Sequence, residues 1–289
     1  MIVSASYRTD IPAFYGDWFL RRLAAGSCRV ANPYGGRPYT VSLTPEAVDG
    51  FVFWTRNLRP FYRHLAAIGR NYPFIVQYTI TGYPRALETG TVAANRAIAD
   101  LRRLARDFGP RRGVWRYDPV VASDLTPPDW HRENFARLAG SLAGAVDEVV
   151  MSFAHVYTKT KRNLDAAAAR NRFIWSDPPD AEKRRLAADL AVIARDHGMT
   201  AALCSQDSYR GEGIAAASCI DAARLGDVAG RPVAARIRGN RPDCLCHESR
   251  DIGAYDSCAQ GCAYCYAVRD PGKTKQRLAA HDPARPMLG

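Results

Sequence analysis

The sequence lacks the features that mark membrane-spanning, secreted and disordered chains. It contains no run of about 18 apolar residues, which argues against a transmembrane helix. Its first residues, MIVSASYRTD, show no basic region followed by an apolar stretch, so no secretory signal is expected. Hydrophobic residues make up 47% of the 289 residues and charged residues 24%, a balance that excludes disorder. We therefore expect a folded cytoplasmic protein with no membrane partner.

Common nucleotide- and metal-binding motifs are also missing. There is no Walker loop and no Gly-x-Gly-x-x-Gly, and the six histidines show no spacing typical of zinc hydrolases. The charge is unbalanced, because 40 Lys and Arg face 29 Asp and Glu, which gives a net charge of +11. A basic surface attracts anions such as nucleotides, nucleic acids and acidic substrates. The charge therefore leaves an anionic substrate and nucleic-acid binding open as partners.

Short apolar segments alternate with helical patterns through the first two thirds of the chain. The predicted strands cover residues 2–6, 51–54, 74–79, 114–117, 149–153 and 200–203. Strands of this kind separated by helices predict parallel βα units. We predict an α/β fold, a (β/α) barrel or partial barrel of about six or more parallel strands, over residues 1–228. Residues 229–289 are predicted to form an irregular cysteine-rich segment that closes over the carboxyl ends of the strands.

Charged residues follow several of the predicted strands at their carboxyl ends. In parallel α/β proteins the chemistry lies just beyond these ends. An arginine there can bind a carboxylate or phosphate with two hydrogen bonds, and an aspartate can hold ribose hydroxyls. The alternative is that these residues cap helices or form structural ion pairs. As a set, the predicted contacts to a cofactor or substrate are Arg8, Asp10, Arg56, Arg116 and Asp118.

The eight cysteines are concentrated near the carboxyl terminus. The sequence Cys258-Ala-Gln-Gly-Cys262-Ala-Tyr-Cys265 places three thiols within one short loop, and Gly261 lets the backbone fold there. In a reducing compartment such spacing indicates metal binding or catalysis rather than disulfides. Three ligands are one fewer than the four that complete a structural zinc or iron–sulfur site. This loop therefore predicts a cluster with one open iron.

Four other cysteines could complete a closed site, and Cys28 stands apart. The closed set is Cys204, Cys219, Cys244 and Cys246, which would suit an auxiliary iron–sulfur cluster. An alternative is one zinc site formed by Cys244, Cys246 and two of the three later cysteines, with Cys204 and Cys219 as buried apolar residues. In that case the chain would be a basic nucleic-acid-binding protein with a structural zinc module rather than an enzyme.

The Cys-x3-Cys-x2-Cys spacing, with Tyr264 just before the last cysteine, resembles the cluster-binding motif of the radical S-adenosylmethionine enzymes. The resemblance implies that Cys258, Cys262 and Cys265 bind a [4Fe–4S] cluster and that S-adenosylmethionine chelates the fourth iron. It also implies reductive cleavage of that cofactor to start radical chemistry, with electrons from a reductant such as flavodoxin or ferredoxin, in a complete or partial (β/α) barrel. Tyr264 joins the predicted cofactor contacts.

The position of the motif differs from that superfamily, which carries it near the amino terminus and often has a Gly-Gly-Glu tripeptide that this chain lacks. The arrangement more closely resembles an uncharacterised group of bacterial proteins, a domain of unknown function with the motif at its carboxyl end. The phrases YRTDIP at residues 7–12, FWTRN at 53–57 and DIGAYD at 251–256 carry this resemblance over nearly the whole chain. The FWTRN phrase is also faintly similar to the photoproduct lyases.

Overall fold

The computed structural model describes residues 1–33 and 35–288. Its strands are β1 (Ile2–Ala5), β2 (Ser27–Val30), β3 (Tyr39–Ser42), β4 (Gly50–Thr55), β5 (Phe74–Thr79), β6 (Gly113–Val120), β7 (Ala122–Ser123), β8 (Glu148–Phe153), β9 (Trp175–Ser176), β10 (Thr200–Leu203), β11 (Ile214–Ala216) and β12 (Ser249–Asp251). Its α-helices are α1 (Ile11–Phe14), α2 (Gly16–Ala24), α3 (Tyr62–Gly69), α4 (Ala94–Phe108), α5 (Pro128–Leu142), α6 (Thr158–Asn171), α7 (Asp180–Asp196), α8 (Ala222–Ala229) and α9 (Pro271–Ala279). Within these described ranges, no helix is long and apolar enough to cross a membrane.

Eight of the strands form one parallel sheet in the order β11-β10-β8-β6-β5-β4-β1-β12. All six predicted strands are present in it, and helices separate most of them, so the predicted barrel-like α/β fold is confirmed. The short strands β2 and β3 pair antiparallel as a separate hairpin. The sheet places the carboxyl ends of β1, β4, β5 and β6 side by side.

The two faces of the sheet are covered by different parts of the chain. One face packs against the helices through the larger apolar cluster, which includes Phe53, Val76 and Trp115. The opposite face, called the second face here, carries Ile2, Val52, Ile75, Val114 and Val150. It is covered by α8 and by residues 233–246, which pack on the same apolar side chains. Both faces are therefore buried, as a parallel sheet requires.

The carboxyl-terminal segment contributes one strand to the sheet. In β12, Asp251 pairs with Ser4 of β1, and the buried Arg8 fixes the same edge by donating from Nε to Asp251 Oδ1 over 2.8 Å. The sequence pattern does not predict this strand, because Ser-Arg-Asp is polar and lacks an apolar alternation. Beyond it the chain turns over the carboxyl ends of the neighbouring strands.

The buried His131 of α5 should make the stability of the fold depend on pH. Burial lowers the pKa of His131 to about 4, and its ring lies between the Tyr117 hydroxyl and the Val121 carbonyl. Because the unfolded chain binds this proton near pH 6.5 and the folded chain does not, stability falls as pH drops from about 6.5 to about 4, by about 3 kcal/mol in total. Urea unfolding across this range should show a shallower pH dependence in His131→Gln. If the free energy of unfolding changed equally with pH in both proteins, the prediction would be contradicted.

Candidate functional site

The three-cysteine loop, residues 258–265, lies over the carboxyl ends of β1, β4 and β5. Three backbone hydrogen bonds join it to the segment that follows β5: Thr89 N donates to Gly261 O over 3.3 Å, Gly90 N to Gln260 O over 2.9 Å, and Ala263 N to Leu87 O over 2.9 Å. An isolated antiparallel bridge between Glu88 and Cys262 lies between them. The loop is therefore fixed to the sheet by its backbone as well as by its side chains.

Asp10 ties this loop to the amino-terminal part of the chain. As predicted from the sequence, it caps α1, because Oδ1 accepts from Ala13 N over 3.0 Å. Its other oxygen, Oδ2, accepts from Arg56 N over 2.8 Å and from Gln260 Nε2 over 2.7 Å. Burial raises the pKa of Asp10 although these donors oppose the shift. Asp10 thus positions the loop directly, and its contact with a cofactor stays a prediction.

Arg56, Glu88 and Tyr264 form a buried hydrogen-bonded network under the loop. Arg56 Nη1 donates to Glu88 Oε1 over 2.7 Å, and Arg56 Nη2 donates to the Tyr264 hydroxyl over 2.6 Å. The Tyr264 hydroxyl in turn donates to Glu88, and its ring packs edge-on against Tyr83 with the ring centroids 6.0 Å apart. Tyr264 therefore anchors the loop between Cys262 and Cys265.

The three thiols of the loop are half-buried, free and close to one another. Burial raises the pKa of Cys262 to about 12, and it also raises the pKa of Cys258 and of Cys265. At Cys258 and Cys262 the neighbouring thiols of the loop raise the pKa further. Arg56 opposes the shift at Cys262 because its positive charge favours the thiolate. Thiols with raised pKa values lose their protons when a metal supplies the compensating positive charge.

Gly261 allows the loop to turn, as expected from the sequence. Its φ is +71°, and a Cβ atom there would lie 2.2 Å from Thr89 Oγ1, which donates to the Gly261 carbonyl. Gly261→Ala should therefore lower the free energy of unfolding by about 2–3 kcal/mol, from left-handed strain and the loss of one hydrogen bond. Gly144→Ala is the matched control, since its φ is +75° with no atom within 4 Å of the added Cβ. Chemical denaturation should show a larger loss of unfolding free energy in Gly261→Ala than in Gly144→Ala. An equal loss of unfolding free energy in both variants would contradict the prediction.

A second group of cysteines lies on the second face of the sheet. This four-cysteine group is formed by Cys204, Cys219, Cys244 and Cys246, of which Cys244 is the least buried. A hydrogen bond from the Cys246 thiol lowers the pKa of Cys244 to about 5. Cys246 thus lies against both Cys219 and Cys244, which differs from the zinc alternative that joins Cys244 and Cys246 to the later cysteines. Cys28 lies apart, buried in the larger apolar cluster.

Arg116 and Asp118 lie between the two groups of cysteines. Arg116 binds the Asp118 carboxylate, stacks over the Trp54 ring at 4.8 Å and donates from Nη1 to Cys219 Sγ over 3.0 Å. Burial alone would raise the pKa of Asp118, but Arg116 and the Ser152 hydroxyl lower it below its ordinary value. The Asp118 carbonyl also accepts from Arg56 Nη2 over 3.4 Å. A continuous chain of polar contacts therefore joins the two groups.

The predicted cofactor contacts are thus brought to one end of the sheet, but each arginine already binds a carboxylate. Arg8 pairs with Asp251, Arg56 with Glu88 and Arg116 with Asp118. The structural ion pairs left open by the sequence are observed, and cofactor binding by these side chains stays a prediction. Sequence reasoning missed Glu88 and Gln260, because neither ends a strand or belongs to a known motif.

The side chains as they stand do not enclose a single metal ion. Across residues 1–33 and 35–288, no three His, Cys, Asp or Glu side chains form a group that could hold one.

Fold and site together define a parallel α/β protein with two groups of free cysteines joined by buried arginines. The chain belongs to the family described as a domain of unknown function, DUF1848, whose model matches residues 2–267. The match includes all seven cysteines of the two groups and confirms the resemblance to an uncharacterised family over nearly the whole chain. No curated protein and no solved structure matches the chain.

Proposed function

We propose that this chain is an iron–sulfur enzyme of the radical S-adenosylmethionine type, with its reactive cluster held by Cys258, Cys262 and Cys265. The observation that carries the proposal is the position of these three free thiols in one loop over the carboxyl ends of parallel strands. That edge is where parallel α/β proteins bind their substrates. Three protein ligands leave one position for a small molecule, which distinguishes a reactive site from a structural one.

The chemistry of the donor set fits such a cluster. Thiolates are the ligands that iron–sulfur clusters take from proteins. When bound and reduced, a cluster held by Cys258, Cys262 and Cys265 would supply the electron for the reductive cleavage of S-adenosylmethionine. The positive charge of Arg56 beside Cys262 favours the thiolate form that binding requires.

The surrounding residues would hold the loop rather than react. Tyr264 and Glu88 fix the turn between Cys262 and Cys265, and Asp10 fixes the preceding turn through Gln260. These bonds would keep the thiols at the mouth of the sheet, and the Tyr83 ring packs against the Tyr264 ring that carries one of them. The net charge of +11 favours an anionic substrate and an acidic electron donor such as flavodoxin or ferredoxin.

Anaerobic reconstitution with iron and sulfide tests the proposal. We expect a coloured protein that binds both elements and converts S-adenosylmethionine to 5′-deoxyadenosine when a reductant is added. Omitting the reductant is the matched control and should give no product. A colourless protein with stoichiometric zinc and no sulfide would refute the proposal.

A further inference from the structure

The four-cysteine group brings together thiols from three separate segments of the chain. Cys204 follows β10, Cys219 follows β11, and Cys244 and Cys246 belong to the loop before β12. The Sγ atoms of Cys204 and Cys219 lie 3.5 Å apart, and the Cys246 thiol lies close to those of Cys219 and Cys244. All four are free thiols, so disulfides do not explain their approach. Segments so far apart in sequence meet here at their cysteines.

Two arginines direct their guanidinium groups at this group. Arg116 Nη1 donates to Cys219 Sγ over 3.0 Å, and Arg241 Nη2 donates to Cys204 Sγ over 3.3 Å. A backbone donor, Ile220 N, lies 3.4 Å from Cys246 Sγ. Bonds from a cation are worth most when the acceptor is itself charged, as in a thiolate. These donors would stabilise negatively charged sulfur, the form that binds metals.

The four-cysteine group lies at a different level along the strands from the three-cysteine loop. Gln77, inside β5, donates from Nε2 to the Cys219 carbonyl over 2.9 Å, which places Cys219 beside the middle of the sheet. Cys204, Cys219 and Cys246 pack with the apolar side chains of the second face. Strand β12 then carries the chain from this level to the carboxyl end, where Cys258 lies. The two groups are therefore separate sites and do not share ligands.

Apart from its cysteines, the segment that supplies half of the ligands is held mainly by polar contacts, such as the Arg236–Glu248 ion pair and the hydrogen bond from Arg238 N to Cys246 O. Residues 231–248 form no helix or strand, and their apolar contacts to the second face are made largely by Val233, Ala235, Cys244 and Cys246. In such segments metal ligation replaces the missing apolar burial. Structural zinc sites usually draw their cysteines from pairs with two to four residues between them, whereas Cys244 and Cys246 have only one and the other two cysteines are single.

We propose that Cys204, Cys219, Cys244 and Cys246 hold a second iron–sulfur cluster, in which protein thiolates occupy every ligand position. Four ligands close the site, so it has no free position for a substrate and differs in this from the three-cysteine site. Hydrogen bonds from Arg116, Arg241 and Ile220 to the sulfur atoms would set its reduction potential. The assignment is independent of whether the three-cysteine site is active.

The test uses a variant in which Cys258, Cys262 and Cys265 are all replaced by serine, reconstituted anaerobically beside the unaltered chain. We expect the triple variant to keep about half of the iron and sulfide of the unaltered chain, together with iron–sulfur absorption. Adding Cys219→Ser should remove the remaining iron and sulfide. Adding Cys28→Ser instead should leave them, because Cys28 is buried away from both groups. A triple variant without iron and sulfide, or with zinc and no sulfide, overturns the proposal.

A measurement on the unaltered chain guards against variants that fail to fold. After reconstitution, Cys204, Cys219, Cys244 and Cys246 should resist alkylation by iodoacetamide, as read by mass spectrometry, and should react once the iron is removed by a chelator. Equal reaction before and after chelation overturns the proposal. Neither readout uses 5′-deoxyadenosine formation, so failure of the proposed activity and failure of the second site are distinguishable.

Discussion

Replacing Cys262 by alanine should reduce 5′-deoxyadenosine formation to the background seen without reductant. Cys262 is the central thiol of the loop: it pairs with Glu88 through the backbone, and its carbonyl accepts from Cys265 N over 3.2 Å. Two remaining thiols, Cys258 and Cys265, cannot complete a three-ligand site, so the cluster should be lost rather than altered. Product formation by the reconstituted variant, followed by liquid chromatography, measures the effect.

Cys28→Ala is the matched control for this experiment. Cys28 is 1% exposed in the larger apolar cluster and belongs to neither cysteine group. Its replacement should leave the yield of 5′-deoxyadenosine unchanged when iron content is equal. Persistence of product in Cys262→Ala would refute the assignment of the open cluster, whereas a loss in both variants would show that the assay reports general instability.

The sheet was predictable from the sequence because its central strands are strongly apolar. Segments such as Phe74–Thr79 carry β-branched and aromatic residues that fit a buried parallel strand. The short edge strands β11 and β12 were not predicted, since Ile214–Ala216 and Ser249–Asp251 are too brief for a pattern. The break between α1 and α2 at Tyr15 likewise has no proline or glycine at that residue to announce it.

The candidate site was only partly predictable. Spacing identifies Cys258, Cys262 and Cys265 as neighbours, because three residues in one loop remain close however the loop folds. Spacing cannot say whether Cys244 and Cys246 join the earlier or the later cysteines. In the structure, Cys246 lies against Cys219, one of the earlier cysteines. Strand β12, which pairs with β1, stands between Cys246 and Cys258 in the chain and separates the two groups. Local sequence patterns do not predict which distant strands pair in this way.

The charged residues illustrate the same limit. Arg56 and Asp118 were found because each lies near the end of an apolar strand. The partner of Arg56 was not, since Glu88 comes from a loop, whereas Arg116 and Asp118, which pair with each other, were both predicted. A carboxylate that neutralises an arginine has no local signature, so the sequence could place the cations but not show that they are paired.

Replacing Arg56 by methionine should lower the free energy of unfolding by about 3–5 kcal/mol, because it leaves a buried carboxylate without its cation. The Glu88 side chain is only 5% exposed, and the Arg56 side chain is 13% exposed. Thr81 and Thr91 would still donate to the Glu88 carboxylate, over 2.5 Å and 3.2 Å, but neither supplies a positive charge. Chemical denaturation of the full chain, before reconstitution, measures the loss.

Two further variants separate the lost charge from the lost side chain. In the double variant Arg56→Met with Glu88→Gln no unpaired carboxylate remains, so its loss of stability should be smaller than the sum of the two single losses. Lys161→Met removes a cation from an exposed pair with Asp165, of which the two side chains are 62% and 48% exposed, and should cost less than about 1 kcal/mol. Additive losses in the double variant would contradict the coupling of Arg56 to Glu88.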